Sequence, residues 1–442
     1  MKKSTARTAA LDILESCRRS GAWADALLKA RLSREKLSGP EAALTSRIVY
    51  GVLQNQLLLD YYLAACCSQK PEHLQAPLLN LLRMGAYQIL FLDKVPDSAA
   101  VNESVELAKL CGRGQASGLV NAVLRRLSRS KAALPDLPAG DPVRRLSLQY
   151  SHPKWLVKRL TALLGPEEAE AFLAIDNQIA PLTVQVNSLK ITEEELIREL
   201  ETAGVSARPH PWVPGSLALS GTGDVTALPA FQQGHFLIQD PAAALTALSA
   251  GLQPGNRVLD VCAAPGGKAF GAAIAMGDQG SVLACDLHAN KLSRIQEGAR
   301  RLGLGCIETA AADGRDFHPQ WEGAFDVVLV DAPCSGLGII RKKPDIRYKK
   351  ADDLFTLPVI QSTILENAAR YVKPGGRLLY STCTILPEEN QDVTEGFLAQ
   401  HPDFSREKLP PPASEGTDGQ ITLWPQRHDT DGFYICRMKR NA

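Results

Sequence analysis

Two cysteines stand in short turns directly after apolar stretches, Cys334 in Asp331-Ala-Pro-Cys-Ser-Gly and Cys383 in Tyr380-Ser-Thr-Cys-Thr. Upstream of both lies a glycine turn, Asp260-Val-Cys-Ala-Ala-Pro-Gly-Gly-Lys268. A thiolate adds to electron-poor carbon atoms that a neutral hydroxyl does not attack, so either cysteine could be a covalent nucleophile. A cysteine without such a setting is more often a small buried hydrophobe. Cys17, Cys66, Cys67, Cys111, Cys306 and Cys436 are expected to be of that kind, and Cys262 and Cys285 fall in or beside the glycine-turn region without an evident chemical role.

The elements that must carry these residues can be read from about residue 240 onward. Arg257-Val-Leu-Asp-Val, Ser281-Val-Leu-Ala-Cys-Asp286, Phe325-Asp-Val-Val-Leu-Val-Asp331 and Arg377-Leu-Leu-Tyr-Ser381 are short apolar runs separated by helix-length segments. That pattern predicts a doubly wound parallel sheet, whose ligands sit at the carboxyl ends of the strands. The glycine turn follows the first strand and opens a helix. It is neither the Gly-x-Gly-x-x-Gly of dinucleotide enzymes nor a phosphate loop, which would end Gly-Lys-Ser/Thr. Asp286 closes the second strand, where a carboxylate can accept hydrogen bonds from ribose hydroxyls. Asp313 follows the third strand in an Asp-Gly pair that a plain turn would also explain. Asp331 ends the fourth strand, and Cys383 follows the fifth.

The order Cys-Ala-Ala-Pro-Gly-Gly-Lys, Asp-Ala-Pro-Cys-Ser-Gly, Ser-Thr-Cys-Thr resembles the RNA 5-methylcytosine methyltransferases, which use S-adenosylmethionine. Cytosine C5 is too electron-poor to take a methyl group until a thiolate adds at C6. In that family the later cysteine is the nucleophile, whereas the DNA cytosine-C5 enzymes use the cysteine of the Pro-Cys pair. The resemblance therefore implies Cys383 as nucleophile and Cys334 as the residue that helps eliminate the adduct. It gives Asp331 the stabilisation of charge at N3 of the ring, with Lys268 in support. It also implies that Cys262, Ala263, Ala264, Pro265, Gly266, Gly267, Lys268, Asp286, Asp313 and Asp331 line the cofactor site, with Asp313 near the adenine. Two positions depart from the pattern, Ala269 and Leu337, where the family often has a hydroxyl residue.

Residues 5–130 show helical periodicity, as in Ile48, Val49, Val52, Leu53 and Leu57 and again in Leu78, Leu81, Leu82, Gly85 and Ile89. Ile48-Val-Tyr-Gly-Val, Leu82-Arg-Met-Gly-Ala-Tyr87, Val101-Asn-Glu-Ser-Val-Glu-Leu-Ala and Gly118-Leu-Val-Asn-Ala-Val-Leu-Arg-Arg-Leu are similar to the NusB antitermination bundle, whose family binds RNA and a protein partner. Residues 131–150 have the Pro/Gly/Asp density of a linker. A second module begins at Ser151, with a strand at Thr183–Asn187 and a helix opened by Thr192 with Glu195 as capping-box partner. The whole resembles the bacterial 16S rRNA cytosine-C5 methyltransferases of the Sun/Fmu (RsmB) type. The architecture this implies is multidomain: an all-α NusB-like bundle over 1–135, a small α+β RNA-binding subdomain over 145–235, and an α/β Rossmann-like class I methyltransferase domain over 236–442.

Charge points the same way. Residues 1–160 hold 24 Lys and Arg against 13 Asp and Glu, a balance of +11 within a net charge of +1, so the front is expected to meet an anionic partner such as RNA. The basic run Arg341-Lys-Lys-Pro-Asp-Ile-Arg347-Tyr-Lys-Lys350, next to the Cys334 motif, is expected to hold RNA phosphates. None of the ten cysteines falls in a Cys-x-x-Cys pair, which argues against a metal site or disulfide scaffold and for a reducing compartment. With no run of membrane-spanning length and no apolar leader, a cytoplasmic location is expected; the chain is separately expected to be a monomer. Two alternatives stay open: a tRNA cytosine-C5 methyltransferase, and an RNA-binding module without catalysis.

Overall fold

The structure is a computed structural model that describes residues 5–20, 23–35, 37, 39–413 and 418–442. It divides into two compact units, Met1–Gln178 with Ile340–Lys349, and Ile179–Ile339 with Lys350–Ala442.

The first unit is helical: α1 (Ala6–Ser20), α2 (Ala24–Glu35), α3 (Gly39–Cys66), α4 (Ala76–Phe91), α5 (Asp97–Leu110), α6 (Ser117–Ser130), α7 (Pro142–Gln149), α8 (Lys154–Leu164) and α9 (Pro166–Ile175). Its core is one cluster that includes Ile48, Val49, Val52, Leu81, Leu82, Ile89, Val120 and Leu124. Close helix approach depends on two glycines. A Cβ on Gly51 would lie 1.9 Å from the Tyr87 ring, and one on Gly85 2.4 Å from Leu124. Leu57, expected on the buried face, is only half-buried, because α3 kinks at Asn55, whose amide bonds the Gly51 carbonyl, and the inward face passes to Leu59 and Leu63. The expected linker is helical in its second half. Pro142 at the first position and an Asp141 side chain accepting from the Arg144 amide start α7, so the Pro and Asp read there as loop residues are helix-initiating ones.

The second unit opens with an antiparallel sheet of order β2-β3-β1-β4, from β1 (Leu182–Val186), β2 (Ser206–Pro209), β3 (Ser216–Ser220) and β4 (Phe236–Ile238), with α10 (Glu193–Thr202) and α11 (Pro229–Gln232). The Thr192 and Glu195 capping box is formed as expected. After α12 (Pro241–Ser249) come β5 (Arg257–Asp260), α13 (Gly267–Ala275), β6 (Ser281–Asp286), α14 (Ala289–Leu302), β7 (Ile307–Ala311), β8 (Phe325–Asp331), α15 (Leu357–Tyr371) and β9 (Val372–Thr382). The chain closes with α16 (Gln391–Gln400), β10 (Phe404–Arg406), β11 (Gln420–Leu423), α17 (Pro425–His428) and β12 (Phe433–Arg440). Strands β9, β8, β5, β6 and β7 lie parallel in that order. Residues alternate between an apolar cluster shared with α15 and α16 and one shared with α13 and α14, so both faces are covered.

The sheet is mixed rather than wholly parallel. β12 runs antiparallel to β9, and β10 and β11 pair with β12. The fully buried run Phe433–Met438 belongs there because β9 would otherwise leave an open edge. Among the described residues no helix is long and apolar enough to cross a membrane.

Candidate active site

The glycine turn forms because only glycine accepts its geometry. Gly266 caps α13 at φ 114°, and a Cβ there would press on the Phe270 ring at 2.5 Å. The Ala263 amide bonds the Cys285 carbonyl at 2.7 Å and the Gly266 amide the Ala263 carbonyl at 2.6 Å, which ties the loop to β6. Cys262, Ala264 and Gly267 are half-buried in this turn, Ala263 and Gly266 buried, and Pro265 exposed. Ala269, one of the two departures, is fully buried against the sheet, where a hydroxyl would need a partner.

Lys268 projects from the first turn of α13. Its Nζ donates to Asp331 Oδ2 at 2.6 Å and lies 5.2 Å from the centre of the Phe433 ring. Burial alone would lower its pKa, but the attraction and hydrogen bond of Asp331, with Asp260 and Cys383 behind them, raise it, so the ammonium is held charged. Asp331 Oδ1 accepts from the Ser381 hydroxyl at 3.1 Å. The two residues are register partners on β8 and β9. That pairing also brings the following turns together, and Cys334 Sγ lies 3.3 Å from Cys383 Sγ.

The Cys383 contact first, then burial and the charges of Cys383, Glu389 and Asp331, push Cys334 well above the usual thiol range and keep it protonated. Cys262 is raised by burial and by Asp260, and Cys285 is pushed up to about 12 by the same two causes. Neither is a nucleophile at neutral pH. Of the cysteines expected to be buried, Cys66 and Cys436 are. Cys17, Cys67 and Cys306 are half-buried, and Cys111 is exposed on the helical unit.

The acidic residues end their strands as expected, with different surroundings. Asp286 is buried, and its Oδ1 accepts the His288 amide at 2.9 Å with Lys291 at 3.5 Å. Asp313 is gripped by its neighbour: Oδ1 accepts the Arg315 amide at 2.9 Å and Oδ2 accepts Arg315 Nη2 at 2.5 Å. Asp260, to which the sequence reading assigned no role, is fully buried under the glycine turn. Burial, joined by repulsion from Asp331 and Asp286, outweighs Lys268 and the Cys262 amide and pushes its pKa up to about 7. Three carboxylates thus converge around one loop with a single buried lysine among them. A cation that carries hydroxyl donors fits that set of acidic acceptors, whereas a phosphate does not.

Within the basic run beside the Cys334 motif, Arg347 behaves otherwise than expected. Residues 340–349 belong to the first unit. Arg347 is fully buried there, donating to the carbonyls of Gln54 at 3.1 Å, Tyr150 at 3.0 Å and Asp176 at 3.3 Å and to Asn177 Oδ1 at 2.8 Å. Tyr348 bonds the Leu53 carbonyl at 2.7 Å, and Asp345 accepts the Ala24 amide at the start of α2. Arg347 therefore cannot hold phosphates. Alternating charge and apolar residues in a ten-residue run do not reveal which of them turn inward. The sequence also gave no hint of Gln361, Glu389 and Asn390, three fully buried polar residues that bond the two cysteine turns. Among the described residues no group of three or more His, Cys, Asp or Glu could hold a metal ion.

The family model described as 16S rRNA methyltransferase RsmB/F matches residues 247–439, the NusB family residues 4–129, and the RsmF/B-like ferredoxin-like domain residues 152–226. The chain is 38% identical over 451 aligned residues to the probable ribosomal RNA small subunit methyltransferase B of Bacillus subtilis, covering 100% of both. It is 36% identical to ribosomal RNA small subunit methyltransferase B of Klebsiella pneumoniae, over 92% of this chain and 91% of that one. Among solved structures, PH0851 covers 98% of each chain at TM-score 0.83 and 28% identity. A methyltransferase homolog from Pyrococcus horikoshii covers 69% of this chain and 100% of its own at TM-score 0.60 and 27% identity. This chain belongs to the 16S rRNA methyltransferase RsmB/F family, with a NusB-family region ahead of its methyltransferase region.

Proposed function

We propose that this protein methylates C5 of one cytosine in 16S ribosomal RNA through a covalent adduct between Cys383 and C6. The observation that carries the reading is the pair of thiols 3.3 Å apart at the ends of neighbouring strands, beside the Lys268–Asp331 pair. S-adenosylmethionine supplies the methyl group. The chain's residues supply the rest. The Cys383 thiolate bonds to C6, the C5–C6 pair shifts toward N3, and a proton passed to N3 through Asp331 neutralises it while Lys268 balances the carboxylate left behind. The pair returns through C5 as the methyl arrives. The C5 proton then passes to solvent water, the C–H pair re-forms the C5–C6 double bond, and the C6–S bond breaks with its electrons returning to Cys383. Cys334, beside that sulfur, serves this elimination. The target base must leave its stack, since no side chain reaches C5 and C6 inside a helix.

The +11 balance of residues 1–160 and the NusB-family match support RNA docking by the front of the chain. In this reading the domains run over 1–135, 145–235 and 236–442, and the working state is a cytoplasmic monomer. Cys383→Ala should abolish transfer and form no adduct, whereas Cys334→Ala should methylate once and stall as an RNA–protein adduct on denaturing gels. The reverse pattern would exchange the two roles. Bisulfite sequencing of RNA from a deletion strain should show one cytosine lost from 16S rRNA. A loss from tRNA, or none, would instead favour the tRNA enzyme or the non-catalytic module.

A further inference from the structure

We propose that Glu389 is a positioning residue that holds the two cysteine turns in one arrangement, with Asn390 completing the clamp. This rests on the division of labour between Cys383 and Cys334 just described. Glu389 ends the short turn Pro387–Glu389 and is 1% exposed. Its Oε2 accepts the Ser335 amide at 2.8 Å and the Gln361 amide group at 2.9 Å, and its Oε1 accepts the Thr384 hydroxyl at 3.2 Å. The same Gln361 nitrogen donates to the Pro333 carbonyl at 2.9 Å, and the Ser335 and Thr384 hydroxyls are 2.6 Å apart. The residues on both sides of Cys334 and the residue after Cys383 are therefore bonded to a single carboxylate or to its partner.

Asn390 secures the second turn from beneath. Its Oδ1 accepts the Thr382 hydroxyl at 2.5 Å and its Nδ2 donates to the Thr384 carbonyl at 3.0 Å, so the residues flanking Cys383 are held as well. The Tyr380 hydroxyl bonds the Glu389 carbonyl at 2.6 Å, fixing the clamp to β9. The donors that reach the Glu389 carboxylate are all neutral. A buried carboxylate without a cation costs stability that an apolar residue would not, which argues for a task beyond packing. Its geometry supplies one: the sulfurs stay in contact while the Glu389 charge opposes loss of the Cys334 proton.

The test uses the full chain with Glu389→Gln and the milder Thr384→Val, which removes the tethers of the Thr384 hydroxyl and leaves the carboxylate. Iodoacetamide alkylation of Cys334 and Cys383, followed by mass spectrometry across pH 6–10, reads the thiols without reference to RNA. In Glu389→Gln the Cys334 profile should move to lower pH and alkylation near pH 8 should rise about tenfold, the effect of one pKa unit. Thr384→Val should show a smaller rise. With substrate RNA, Glu389→Gln should also accumulate adduct while cofactor binding stays at the parent level. Parental alkylation profiles in both folded variants would overturn the clamp, whatever happens to the melting temperature. Altered profiles combined with no adduct from Cys334→Ala would leave the clamp standing and remove the catalytic reading beneath it.

Discussion

Arg347 in the helical unit and Lys268 in the methyltransferase unit are both buried cations, and their surroundings are opposite. The Arg347 guanidinium is answered by three backbone carbonyls and one amide oxygen, with zero exposure, beside a His152 imidazole that bonds the Tyr150 carbonyl and Asp176. Lys268 faces one carboxylate and one aromatic ring, next to two half-buried thiols and an acidic residue pushed toward neutrality. A cation bonded chiefly to main-chain carbonyls fixes a fold. A cation that shares a carboxylate beside reactive groups leaves charge free to respond to a substrate.

The comparison can be broken most sharply at Asp331. Asp331→Asn should cut single-turnover methyl transfer by about 10²–10⁴-fold per folded molecule, since the proposed route for a proton to N3 is lost and Lys268 loses its partner. A rate within threefold of the parent would place Lys268 in the structural class with Arg347. The converse is Arg347→Met, which strands a set of buried carbonyls and should destabilise the helical unit by about 3–5 kcal/mol in denaturant unfolding. Activity per folded molecule should stay near the parent's, and a selective loss of activity would dissolve the distinction.

Two smaller effects sharpen it. Asp286→Ala should weaken S-adenosylmethionine by about 1–3 kcal/mol in titration calorimetry, the loss of a charged acceptor for hydroxyls, with no change in unfolding of the helical unit. His152 is buried beside Arg347, and burial first, then that charge, lower its pKa well below the ordinary value. Its folded value lies below the unfolded one of about 6.5, so its contribution is present in full above pH 6.5 and is lost as pH falls. The stability of the helical unit should fall by up to about 1.4 kcal/mol per pH unit below 6.5, and His152→Gln should flatten that slope. An unchanged slope would mean that the imidazole is protonated in place.

Much of this was legible beforehand because the relevant signals are local. The strands at 257–260, 281–286 and 325–331 are apolar runs ended by turn-forming residues, and the Thr192 capping box needs only four consecutive positions. The last strand, Phe433–Arg440, was missed although it is apolar, because it adds antiparallel at the outer side of a sheet whose other strands announce a parallel pattern. The helix α7 was hidden by Pro142 and Asp141, which belong equally to loops and to helix starts. Arg347 read as a surface charge because its burial is set by residues about 170 to 290 positions away in sequence.

By itself the sequence determined which residues stand at the carboxyl ends of the parallel strands: the glycine turn, Asp286, Asp331 and the two cysteine turns. Each is coded by its own neighbours and by the rule that places such turns at one edge of a parallel sheet. Only the tertiary structure decided that Cys334 and Cys383, 49 residues apart, touch, and that Glu389 and Gln361 bond the turns that carry them. That outcome follows from the register that sets Asp331 opposite Ser381 and from the packing of α15 against the sheet. Such register is fixed by long-range pairing and burial, which no short stretch of residues contains.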